Sequence, residues 1–176
     1  MDRIALGSGT VYIMPYVQGS AIPAHSAMCV PANVLGLIKG GASIEYSAET
    51  YTAEDDFGKA KKIRMTKETA KFKTGVITFN GEVLAKLCQT ARVTDNAAIR
   101  TVKIGGIEQY ANTKYVITFH HKDAQDGDIW LTIVGSNTSG FTLSFAQNKE
   151  TVIDAEFEAA PNDAEGTLII YEEEMK

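Results

Sequence analysis

Apolar and polar side chains alternate with a period of two in run after run along this chain, and no other feature constrains the fold as tightly. Successive side chains of a strand point to opposite faces, so strict alternation marks a ribbon with one face on a core and one in water. Ile44 and Tyr46 alternate with Ser43, Glu45 and Ser47; Ile63 and Met65 with Lys62 and Arg64; Tyr115, Ile117 and Phe119 with Val116, Thr118 and His120. Ile153, Ala155, Phe157 and Ala159 alternate with Asp154, Glu156 and Glu158. Further strands are expected over 99–104, 129–134, 141–147 (Phe141, Leu143, Phe145) and 167–172. Asp126-Gly127, Gly105-Gly106 and Asn162-Asp163 supply turns between them. The apolar parity changes at Tyr51 and Ala53, which places a bulge near Ala48 to Thr50. The chain is expected to be mainly β, a sandwich or barrel-like fold in a single domain spanning its 176 residues.

One segment departs from that period. From the N-cap Asn80, Val83, Leu84, Leu87, Cys88 and Ala91 recur at helical spacing, predicting one flanking helix over 80–91 with Cys88 packed in the core. Two other stretches are awkward for a self-sufficient monomer. Residues 17–35 hold Pro23 and Pro31, show no period and are apolar for a loop: Ile22, Met28, Val30, Val34 and Leu35 outweigh the single ionisable His25. A loop this long and this apolar is expected to dock on a neighbouring copy. Residues 38–79 read as one hairpin around the tip Asp55-Asp56-Phe57-Gly58, with Gly75 bending the second arm. Strands that long overhang their own core, and their edges need a partner.

Charge is segregated rather than extreme. The net charge of −5 divides into −4 over 1–58, +8 over 59–103 and −9 over 104–176. That balance argues against a protein that grips nucleic-acid phosphates. It fits either opposite charges on adjacent strands or head-to-tail contact between copies. No run approaches a membrane-spanning length, Met1-Asp2-Arg3 does not start a secretion signal, and Cys29 and Cys88 do not make a disulfide framework. Synthesis in a reducing cytosol is therefore expected.

A search for chemistry yields little. His120, His121, Asp123, Asp126 and Asp128 crowd one turn, but adjacent histidines on a strand face opposite ways and the aspartates miss calcium-loop spacing. His25 and Cys29 are too few for a zinc site. Gly7-Ser8-Gly9 and Gly40-Gly41 fit no phosphate loop, and no nucleophile elbow is present. No catalytic, metal or cofactor residue is expected. Trp130, in an apolar run, reads as a core residue.

The order of these elements resembles the tail tube (major tail) proteins of long-tailed bacteriophages. It runs from Gly7-Ser8-Gly9-Thr10-Val11-Tyr12-Ile13 and the Pro-bearing loop through Leu35 to Tyr46 (LGLIKGGASIEY), the acidic tip, a single helix after Thr78-Phe79-Asn80-Gly81, and late strands. The resemblance implies a homo-oligomer of stacked hexameric rings forming a hollow tube in the virion tail, assembled in the host cytoplasm. Viral DNA would pass through the lumen without tight binding, and a tape-measure protein and other tail proteins would be partners. Tube proteins of contractile tails and of type VI secretion share that fold. The implied contacts between subunits or rings fall on Ile22, Pro23, Met28, Val30, Pro31 and Leu35 of the loop and on Asp55, Asp56, Phe57 and Gly58 of the tip. Because a basic wall would hold DNA by counterion release, Asp154, Glu156 and Glu158 are candidates for the lumen, against the simpler reading of a solvated outer face. A soluble β-sandwich binding module (carbohydrate-binding or capsid decoration), a tube protein of a contractile injection system and a small enzyme built on 120–128 are the rival expectations.

Overall fold

A computed structural model describes residues 7–176. The amino-terminal Met1-Asp2-Arg3 lies outside the described residues. The chain is mainly β, as the alternation requires. In order it forms β1 (Thr10–Tyr16), α1 (His25–Met28), β2 (Val34–Gly36), β3 (Ile38–Glu54), β4 (Lys61–Val76), α2 (Gly81–Lys86), β5 (Arg92–Asn96), β6 (Ile99–Lys103), β7 (Lys114–His121), β8 (Ile129–Asn137), β9 (Ile153–Ala159) and β10 (Ile170–Glu173).

Antiparallel pairing runs β2-β1-β7-β8-β9-β4-β3, with β10 beside the first half of β8; β5 and β6 form a separate ribbon. The two ends of this path are one stretch of chain. At Leu37, between β2 and β3, the N–H donates to Thr78 Oγ1 at 2.7 Å and the carbonyl accepts from Ile77 N at 2.9 Å. The backbone thus passes from β1 to β4 without losing its partners, and the sheet closes on itself in a barrel-like wall. Closure removes the exposed edges that an open sheet would leave.

The inward face follows the parity of each strand. Val11 and Ile13, Phe72 and Val76, Ile117, Ile133, Ile153, Ala155 and Phe157 make one core, joined by Leu35, by Val83 of α2 and by Leu87 just after it. Each large side chain sealed there contributes roughly 1.5–3 kcal/mol. Asn80 caps α2 by accepting from Glu82 N and Val83 N at 2.9 and 3.0 Å. The helix ends at Lys86 rather than continuing to residue 91. Asn137, buried at the end of β8, donates to the Leu87 carbonyl at 3.0 Å, and Gln89 is held by the Thr113 backbone at 2.8 Å. The Leu87 carbonyl is thereby taken from a further helical turn, the Gln89 carbonyl accepts from Ala111 N at 2.9 Å, and Cys88 is only half-buried.

Residues 141–147 do not form the expected strand. Asn137 Nδ2 also donates to the Gly140 carbonyl at 3.0 Å, turning the chain out of line with β8. Phe141 and Leu143 still pack on the core, whereas Phe145 is 77% exposed. No helix among the described residues is long and apolar enough to cross a membrane.

Candidate self-association surfaces

The long hairpin begins inside the wall and ends outside it. Strand β4 pairs with β9 only from Lys71 to Val76, while its pairing with β3 continues to Lys61. Every residue from 45 to 68 is exposed. At about 3.3 Å per residue, that arm projects roughly 30 Å.

Register fixes which side chains share a face. Glu49 pairs with Lys67 and Thr50 with Met65, so the extra residue is Thr66 on β4. The bulge lies where the sequence places it, but on the opposite strand. Its consequence is that Met65 and Ile63 turn to the face of Ala70 and Phe72, the face that is core further down. Tyr46, Ile63 and Met65, each at least half exposed (54%, 60% and 53%), therefore extend the core stripe into solvent. Tyr46 Oη donates to Glu68 Oε2 at 2.9 Å, and that bond to a carboxylate raises the phenol above its usual range.

The reverse face carries charge. Lys71 and Lys73 stand beside Glu158 and Glu156 of β9 and Glu45 of β3. Lys71 Nζ reaches Glu156 Oε1 at 2.7 Å; Lys73 Nζ reaches Glu45 Oε2 at 2.8 Å and Glu156 Oε2 at 3.6 Å. Hydrogen bonding from Lys71 holds the Glu156 carboxyl below its usual range, and the partner carboxylates raise both lysines. Opposite charges on adjacent strands thus account for part of the segregation seen in the sequence. Such exposed pairs are worth about 0–1 kcal/mol each. Of the three proposed lumen residues, Glu156 is tied to two lysines, Glu158 accepts from Thr138 Oγ1 at 3.4 Å, and Asp154 is exposed opposite Gly75.

The 17–35 loop folds differently from its expectation. It contains α1 and a 3-10 turn at Pro31–Asn33, and it covers the outer face of β1, β7 and β8. Met28 packs with Tyr12, Tyr16, Val116 and Val134 in a second core, with Ile22, Cys29 and Val34 around it. Met28 and Leu35, each 1% exposed, are therefore buried in their own chain and offer nothing to a neighbour. Ile22, Pro23 and Val30 are half-buried, and Pro31 is exposed. The tip residues Asp55, Asp56, Phe57 and Gly58 are all exposed.

Trp130 is likewise not in the core. It stands on the outer face, where His25 stacks on it at 4.4 Å and His120 at 5.0 Å. His25 Nε2 lies 2.5 Å from Glu172 Oε2, and His120 Nε2 lies 2.7 Å from Asp128 Oδ2. This cluster ties the loop to the wall. His25 looked isolated in the sequence because its partners are 105 and 147 positions away, in β8 and β10. Asp123 caps its own turn by accepting from Gln125 N and Asp126 N at 2.8 and 3.0 Å. Among the described residues, no three His, Cys, Asp or Glu side chains are placed to hold a metal ion.

Sequence reasoning missed the cavity beside Gly40 and Gly41. Ile38 and Lys39 pair with Val76 and Gly75, and the next pair is Ala42 with Thr74, so the two glycines are extra residues on β3. Their φ angles of 81° and 78° suit glycine. The Gly-Gly pair within an alternating run was the available signal. No protein-family model matches this chain, and no curated protein matches its sequence.

Proposed function

We propose that this chain is a structural subunit that assembles with copies of itself into the tail tube of a long-tailed bacteriophage, as stacked hexameric rings through which DNA is delivered. The observation that supports the reading is the arm. An ordinary monomer does not leave a core-type stripe such as Tyr46, Ile63 and Met65 in water on a two-stranded ribbon with both backbone edges open. Identical neighbours would cover the stripe and pair the edges, and rotational symmetry would close such head-to-tail contacts into rings. The loop held on the outer wall leaves the arm as the main unpartnered element. Of the three lumen candidates, Glu158 is the one that stays exposed outside the Gly40–Gly41 cavity, where a carboxylate would repel DNA phosphates.

Sedimentation velocity and negative-stain microscopy across rising protein concentration test the proposal. Rings or tubes of uniform diameter are expected. A chain that stays monomeric at millimolar concentration, with the arm folded, would refute it.

A further inference from the structure

The arm ends in a preformed plug. Asp55 N donates to the Ala60 carbonyl at 3.1 Å, Gly58 N to the Asp55 carbonyl at 2.9 Å, and Ala60 N to Asp55 Oδ1 at 2.6 Å. The last bond leads several backbone donors that hold the Asp55 carboxyl below its usual range. This turn presents Phe57 at 84% exposure, with Lys59 Nζ 6.0 Å from the ring centroid. A turn ordered by these bonds has already met the backbone share of the ordering cost of binding, which favours its exposed ring as an anchor for a pocket.

A pocket of suitable size lies at the other end of the same hairpin. The two extra residues Gly40 and Gly41 lift β3 off β4 and leave a cavity of about 570 Å³. Neither glycine would meet an atom within 4 Å if it carried a Cβ, so the mouth is open. Ala42, Phe141 and Ala155 give the cavity apolar lining; Lys39, Lys73 and Asp154 give it charge of both signs. The tip carries the complementary set: Asp55 and Asp56 before the ring, Lys59 after it. Lys39, although paired with Glu150, keeps 57% of its side chain exposed.

We infer that Phe57 of one copy seats in the Gly40–Gly41 cavity of a second copy, with Asp56 meeting Lys39 and Lys59 meeting Asp154 at the rim. The paired arm holds tip and cavity roughly 45 Å apart within one chain, so the contact forms only between chains. A contact from tip to base is heterologous and repeats along the arm direction, so arm length sets the spacing between successive copies. This contact rests on the self-assembly reading and specifies which surfaces meet.

Two measurements test it. In sedimentation, Phe57→Ser should weaken self-association about tenfold or more, as loss of a central anchor does, while Phe57→Leu retains it. In cross-linking, a chain carrying Asp56→Cys, which keeps the Phe57 anchor, is mixed with one carrying Ser139→Cys on the cavity rim. An intermolecular disulfide should form faster there than with a Ser26→Cys chain or with the wild type, whose Cys29 and Cys88 serve as the control. Unchanged association of Phe57→Ser, or equal cross-linking to Ser26→Cys and Ser139→Cys, would overturn the contact. The two readings fail separately. Tubes that tolerate Phe57→Ser remove the contact and leave the tube, whereas a selective cross-link without tubes removes the tube and leaves the contact.

Discussion

Strand β4 passes through two environments, and the same alternation means different things in each. From Ala70 to Val76 its even-numbered residues are buried, and Phe72, at 2% exposure, packs against Phe157 with ring centroids 6.5 Å apart. From Lys61 to Glu68 the apolar members Ile63 and Met65 are in solvent, although they share a face with Phe72. Propensity and pattern hardly distinguish the halves. What separates them is the neighbour: β9 lies beside the lower half and is absent beside the upper. An alternating pattern specifies a face that wants covering, and the neighbouring strand decides whether it is covered.

The contrast can be broken experimentally, beginning with its largest effect. Phe157→Ala in the body should lower unfolding free energy by about 3–5 kcal/mol, read as a shift in denaturation midpoint. A loss under 1 kcal/mol would mean the body is packed no better than the arm. Acidification should act next and fall mainly on the body. Hydrogen bonding from His120 holds the Asp128 carboxyl below its usual range, as Lys71 does for Glu156. A carboxyl depressed by folding stabilises at pH values above its unfolded value of about 4. That stability is lost as pH falls through the depressed folded values. Urea midpoints should therefore drop below about pH 4, and Asp128→Asn should flatten the fall. The smallest effect belongs to the arm. Ile63→Ser should change monomer stability by no more than about 0.5 kcal/mol, because the side chain is already in water, yet it should reduce self-association in sedimentation. A large thermal shift in the isolated monomer would show that the stripe is covered within its own chain.

Strand parity made much of this molecule legible. The core positions Ile117, Ile153 and Phe157 and the hairpin's length follow from alternation alone. Residues whose fate depends on distant partners were not legible. The helix stops at Lys86 because Asn137, fifty positions later, binds Leu87; Met28 is buried because the outer face of β1 and β7 offers Tyr12 and Val116. Trp130 left the core because histidines from a loop and from β7 stack on it. The bulge could be located from the odd parity of Ile63 and Met65 against the even parity of Ala70 and Phe72, but the cavity needed the register around Gly40 and Gly41. The candidate contact residues divide the same way: tip residues were readable as exposed, whereas Met28 and Leu35 were claimed by their own chain.

Because β2 and β3 are a single backbone run joined at Leu37, the arm continues directly into the wall. Tension applied at the tip would load the very seam that shuts the barrel, through the bonds of Leu37 to Ile77 and Thr78. Stretching or bending a string of such subunits would therefore be resisted by whole domains rather than by flexible tethers.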